Sequence, residues 1–203
     1  MDNKLIVQNV EDFVYKRLYN EGSGHDWWHI DRVRRNALYI GKEENANLFI
    51  VELAALLHDL IDDKLSENIK LDVSQVEQFL LDLGIDQKVT HDVISIIKVI
   101  SFRKKIPQDQ LTLAAKVVQD ADRLDAIGAI GIARTFAYAG SKGNLIYHPD
   151  VEGNTDAISH FYDKLLKLKD LMNTNAGRVL AKERHQFLEL YLSQFYHEWN
   201  GRK

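Results

Sequence analysis

His58-Asp59 closes the apolar run Leu53-Ala54-Ala55-Leu56-Leu57, a poor place for bare polar groups. Burying an ionised carboxylate without a partner costs several kcal/mol or drives it to the neutral form, so the pair asks for a compensating charge. A divalent cation would supply it. The same dipeptide recurs as His25-Asp26 and His91-Asp92, and there the surroundings offer plainer explanations. At His91-Asp92 the preceding Thr90 reads as an N-cap, with Asp92 in a first helical turn where an anion suits the helix dipole. His25-Asp26 follows Glu21-Gly22-Ser23-Gly24 and opens a helix after a flexible connection, with Asp26 as its cap.

Two more segments carry metal-ligand side chains in helical settings. One is Gly24-His25-Asp26-Trp27-Trp28-His29-Ile30-Asp31-Arg32-Val33; the other is Gln119-Asp120-Ala121-Asp122-Arg123-Leu124-Asp125-Ala126. The separations of 29 residues from His29 to His58 and 63 from Asp59 to Asp122 exclude a local metal loop. Any shared site needs separate helices to converge, as metal sites in helix bundles do. The chain contains no cysteine, so imidazole and carboxylate are the ligands on offer. They suit Mn, Fe, Co, Ni, Zn or, with more oxygen donors, Mg.

The order His, His-Asp, Asp resembles the HD-domain metal-dependent phosphohydrolases. His29-Ile30-Asp31-Arg32-Val33 is similar to the family's His-x-x-Arg-Val context, His58-Asp59 to the motif that names it, and Asp122 to its closing aspartate. The likeness is strongest from His25 to Ala133, looser through His160-Phe161-Tyr162-Asp163-Lys164-Leu165, and nearest to the small single-domain bacterial branch that includes nucleoside triphosphate pyrophosphohydrolases. It implies a metal set of His29, His58, Asp59 and Asp122, holding one divalent ion, with manganese the expected one. Two neutral imidazoles and two carboxylates would leave such an ion neutral overall, with positions open to water and substrate. His25 lies four residues before His29 and would share its face on a helix that began early enough; the family context points to His29 as ligand and leaves His25 a supporting or substrate-binding role.

Such an ion lowers the pKa of water and polarises a phosphoryl oxygen. Asp62 and Asp63 follow the ligand pair in His58-Asp59-Leu60-Ile61-Asp62-Asp63-Lys64. Asp62 is assigned to proton transfer or to orienting the water, with Asp63 as its alternate; the competing reading has both capping the next helix. Related hydrolases often carry Glu at the place of Asp62, so the reach here is shorter. Lys64 and Arg103 are the candidates for contacts to substrate phosphates. Arg34 and Arg35 read as solvated helix surface, as do Lys164 and Arg184. The resemblance implies hydrolysis of nucleoside or deoxynucleoside triphosphates to monophosphate and pyrophosphate. The alternatives are another phosphoester (a nucleoside monophosphate, cyclic nucleotide or guanosine alarmone) and a non-catalytic metal and nucleotide sensor.

Helices must position these groups, and the apolar spacing is helical almost throughout. Leu5, Ile6, Val10, Phe13, Val14 and Leu18 define a first amphipathic helix; others are expected over Trp28 to Lys42, Ala46 to Asp59, Ile69 to Leu83 and Ile85 to Phe102, with Gly84 as a stop. Pro107 opens another, continued over Ala114 to Ala139 with a break, and two close the chain, Ala157 to Met172 and Ala176 to Trp199. Between them, Gly140 to Asn154 reads as a long loop and a candidate lid. The glycines of Ala126-Ile127-Gly128-Ala129-Ile130-Gly131-Ile132-Ala133 suit close helix packing and form no phosphate loop. The expectation is an all-α, single-domain helical bundle over residues 1–203, its motif-bearing core about 25–133 and its C-terminal helices about 155–200.

At 203 residues and 45% hydrophobic, the chain can bury one sizeable core. A formal charge of -4 argues against binding long nucleic acids, which takes many Lys and Arg contacts. No apolar run is long enough for a membrane span and Met1-Asp2-Asn3-Lys4 does not begin a signal peptide, so a cytoplasmic protein with a small-molecule nucleotide substrate is expected. Tyr191, Phe195 and Trp199 leave open whether the last helix packs internally or against a second copy.

Overall fold

The computed structural model describes residues 2–21, 24–63, 65–101, 107–150 and 156–202. Among them the secondary structure is helical, without strands: α1 (Asn3–Leu18), α2 (Trp27–Glu43), α3 (Leu48–Leu57), α4 (Val73–Asp82), α5 (Gln87–Ser101), α6 (Leu113–Asp125), α7 (Gly128–Ser141), α8 (Ala157–Asp163) and α9 (Asn175–Trp199), with 3₁₀ turns at Gln108–Gln110 and Leu165–Leu171. No described helix is long and apolar enough to cross a membrane. The chain divides into two compact units, Met1–Ala121 and Asp122–Lys203, the boundary falling within α6.

The first unit is built around α3. Its sequence is apolar except at Glu52, and Val51 and Leu53 to Leu57 are buried because α1, α2 and α5 all pack on it. A helix so rich in apolar residues belongs inside. Asn47 starts it, its side chain accepting from the Phe49 and Ile50 amides, and Gly41 lets α2 come close: a Cβ there would stand 3.0 Å from Leu48 Cδ2. Arg34 of α2, expected on a solvated face, is half-buried and bridges neighbours, its guanidinium 2.8 Å from Glu11 of α1 and 2.6 Å from Glu52 of α3. Burial opposes its charge, but the two carboxylates outweigh it and raise its pKa.

Several boundaries differ from those the sequence suggests, each for a capping reason. The third helix stops at Leu57, with His58 as C-cap; the Leu60 amide then donates to Leu57 O and the Asp62 amide to Asp59 O, tightening the chain into successive turns. The fourth begins at Val73 rather than near Ile69, since Asp72 and Gln75 form a capping box. Thr90 is no N-cap: α5 already starts at Gln87, where Asp86 accepts from the Lys88 amide, and Thr90 is buried within the helix. Gly84, at φ +75°, ends α4 as expected.

In the second unit α7 packs on α9 and α8, and α9 on the 3₁₀ segment. The expected break after α6 falls at Gly128, φ +75°; a Cβ there would stand 3.0 Å from Arg184 Cγ, and one on Gly131 only 2.3 Å from Ala126 O, so both glycines serve packing. Arg184 is accordingly half-buried rather than solvated, donating to Leu124 O at 2.6 Å, and Arg134 holds buried Asp125 at 2.6 Å. Part of the expected loop after α7 is pinned down: Leu145 O and Ile146 O accept from the Ala157 and Ile158 amides, and Tyr147 sits among Phe195, Tyr196 and Trp199 with ring centroids 5.0 to 5.9 Å away. Those aromatic residues thus pack within the chain, although Trp199 keeps half its surface exposed.

Candidate metal centre

Two helix ends of the first unit carry the site. At the C-terminal end of α3, His58 is fully buried and Asp59 nearly so. The His58 Nδ1–H donates to Ala55 O at 2.8 Å, which fixes the ring and its tautomer and presents Nε2 as an electron-pair donor. At the N-terminal end of α2, Asp26 is the cap, accepting from the His29 amide at 2.7 Å. That bond sets the first turn so that His29 enters the core, where 1% of it is exposed.

The three groups meet at Asp59. His29 Nε2 stands 3.3 Å from Asp59 Oδ2 and His58 Nε2 stands 3.3 Å from Oδ1. Donor atoms sharing an ion at bonds of about 2.0–2.2 Å lie about 3.0–3.4 Å apart, so these separations fit the edges of a coordination polyhedron. His25, His29 and Asp59 also bring their donor atoms within 4.8 Å of one another. Burial works against the charge on Asp59, but His58, His25 and His29 outweigh it and hold the carboxyl well below the usual carboxylate range. Two buried imidazoles around a buried, ionised carboxylate are a suitable donor set for a divalent transition metal.

The remaining predicted residues are distributed unevenly. Asp62 is buried, its amide donating to Asp59 O at 2.9 Å. Neither Asp62 nor Asp63 caps the following helix, which Asp72 does. Asp63 points outward, 79% exposed, and pairs with Lys70 at 2.5 Å, a pair that raises the Lys70 pKa. Asp122 lies on α6, one residue past the end of the first unit. Lys64 and Arg103 fall outside the described residues. What the sequence did not reveal is the seat of His25. Its Nδ1 is 2.6 Å from Asp59 Oδ2, from a position preceding the helix cap, where helical spacing has no say.

The HD domain, as a family pattern, matches residues 27–127. The chain is 48% identical over 190 residues to the uncharacterized protein YpgQ of Bacillus subtilis, covering 93% of this chain and 91% of that one. The crystal structure of Bacillus subtilis YpgQ in complex with ADP superposes with a TM-score of 0.86 at 46% identity, over 98% of this chain and 97% of the other. An HD-superfamily hydrolase from Bacillus thuringiensis superposes with a TM-score of 0.84 at 43% identity, over 99% and 100%. A histidine and a His-Asp pair brought together by two helix ends, in a chain so similar along its length to these proteins, place it in the HD-domain family of metal-dependent phosphohydrolases.

Proposed function

We propose that this protein hydrolyses nucleoside or deoxynucleoside triphosphates between the α and β phosphates, releasing monophosphate and pyrophosphate, with manganese as its ion. The observation that carries the reading is the 3.3 Å approach of His29 and His58 to the two oxygens of Asp59. Those residues hold the ion, and Asp122 is assigned as the fourth ligand from its place in the family order. Bound there, the cation supplies Lewis acidity, which favours both charge build-up on a phosphoryl oxygen and loss of a proton from water. Asp62, buried and with its amide donating to Asp59 O, takes the proton from the attacking water or holds that water in line with the phosphorus; Asp63, exposed and paired with Lys70, is the weaker candidate. Lys64 and Arg103 neutralise charge on the departing pyrophosphate. The ADP in the YpgQ crystal supports a nucleotide occupant, because ADP contains the α–β anhydride that the proposed reaction cleaves.

Phosphorus NMR of products tests this directly, with metal-stripped protein given Mn²⁺ and a panel of nucleoside triphosphates, diphosphates, monophosphates, cyclic nucleotides and alarmones. Pyrophosphate with monophosphate, absent in His58→Ala, is the expected result. Turnover confined to another member of the panel would replace the triphosphate as substrate, and silence across the panel would favour a nucleotide sensor.

A further inference from the structure

The residue that stands out at the centre is His25, because its contact with Asp59 is of a different kind from the other two. At 2.6 Å, Nδ1 and Oδ2 are closer than two donor atoms bound to one ion, which keep about 3.0–3.4 Å between them. That distance is a hydrogen bond. An ionised carboxylate only accepts, so Nδ1 carries the proton and donates. His29 and His58, at 3.3 Å, present the geometry of ligands; His25 presents that of a support. Its ring is set edge-on to that of His29, centroids 5.8 Å apart, and its side chain is only 13% exposed. The backbone holds it there from both sides, by Gly24 at φ +93° before it, a conformation that favours glycine, and by the Asp26 cap after it.

We infer that His25 is a positioning residue for the metal-binding carboxylate: by donating to Asp59 Oδ2 it fixes the rotation of the carboxyl group, and so which oxygens face His29 and His58. This rests on the metal-centre reading above. A free carboxylate can turn about its last torsion, which is broad for Asp; one held by an N–H donor gives up that freedom before the ion arrives. Hydrogen bonds to ligating groups of this kind govern affinity by about 10–100-fold. His25→Ala therefore weakens the ion by about that factor. His25→Asn, whose Nδ2–H₂ group takes the place of Nδ1–H, recovers most of the loss.

The experiment is calorimetric titration of Mn²⁺ into metal-stripped wild type, His25→Ala and His25→Asn, with visible spectra of the Co²⁺-loaded proteins as a count of ligands. Weaker binding in His25→Ala, recovery in His25→Asn and an unchanged Co²⁺ band intensity are expected. Unchanged affinity in both variants, with turnover reduced, would overturn the inference and move His25 onto the substrate. A changed Co²⁺ coordination number in His25→Ala would overturn it by making His25 a ligand. Wild-type protein that takes up no Mn²⁺ or Co²⁺ would instead defeat the metal-centre reading, so the two failures are told apart.

Discussion

At the scale of single residues, the centre is a contest between burial and compensation at Asp59. Its carboxyl stays ionised against burial because three imidazoles surround it. His58→Ala removes, from a fully buried position, an imidazole proposed to hold the ion; metal-dependent turnover falls by about a thousandfold or more, as measured on ion-saturated protein. Asp62→Asn keeps the ion, and its turnover falls by about 10²–10⁴ if the carboxylate moves the proton; full turnover in that variant would remove Asp62 from the mechanism. Asp63→Asn, made at an exposed side chain paired across the surface to Lys70, leaves turnover within a small factor of wild type. The buried His58-Asp59 pair was legible in the sequence as a candidate, since it closes an apolar run where bare polar groups need compensation. The seat of His25 was not, because it depends on the turn from Gly24 to Asp26 and on the rotamer that this turn permits.

At the scale of elements, helices were legible wherever apolar spacing or a glycine stop marked them, as in α1, α2 and α9. Their ends were less so, because a cap is a competition between neighbours. Asp72 wins over the residues before it by reciprocal bonds with Gln75, and Asp86 pre-empts Thr90. Arg34 was expected on a solvated face because nothing local reveals that Glu11 and Glu52 flank it on two other helices. Asn47→Ala, which removes the cap of α3, lowers unfolding free energy by about 1 kcal/mol in denaturant titration. Gly131→Ala sets a methyl against the Ala126 carbonyl and costs about 1–3 kcal/mol or more, the larger of the two effects.

For the molecule as a whole, the ion is a folding ligand as well as a reagent, since side chains scattered along an unfolded chain do not form the site. At an ion concentration about a hundredfold above its Kd the native state gains about 2.7 kcal/mol, read as a rise in Tm that a chelator reverses. In the metal-free protein, Asp59 makes a contribution to pH dependence whose sign is set by its depressed pKa. Asp59 has a folded pKa below its unfolded value, so its contribution is complete above the unfolded carboxylate pKa of about 3.9 and is lost as pH falls through the folded value. Acid titration of apo protein with thermal unfolding at each pH checks this; rising Tm on acidification would contradict it. The hydrolase family was legible from motif order and the helical architecture from apolar spacing, whereas the division of the chain within α6 leaves no mark in the sequence.

The placement of His58 and Asp59 at the end of a helix whose last turns are buried bears on how the protein breathes. Amide protons in such a helix exchange with solvent only when the surrounding structure opens cooperatively, whereas surface turns exchange through small local fluctuations. The amides of Leu53 to Leu57 are therefore expected among the slowest to take up deuterium, with or without ion, which would tie the candidate centre to a late-opening part of the chain.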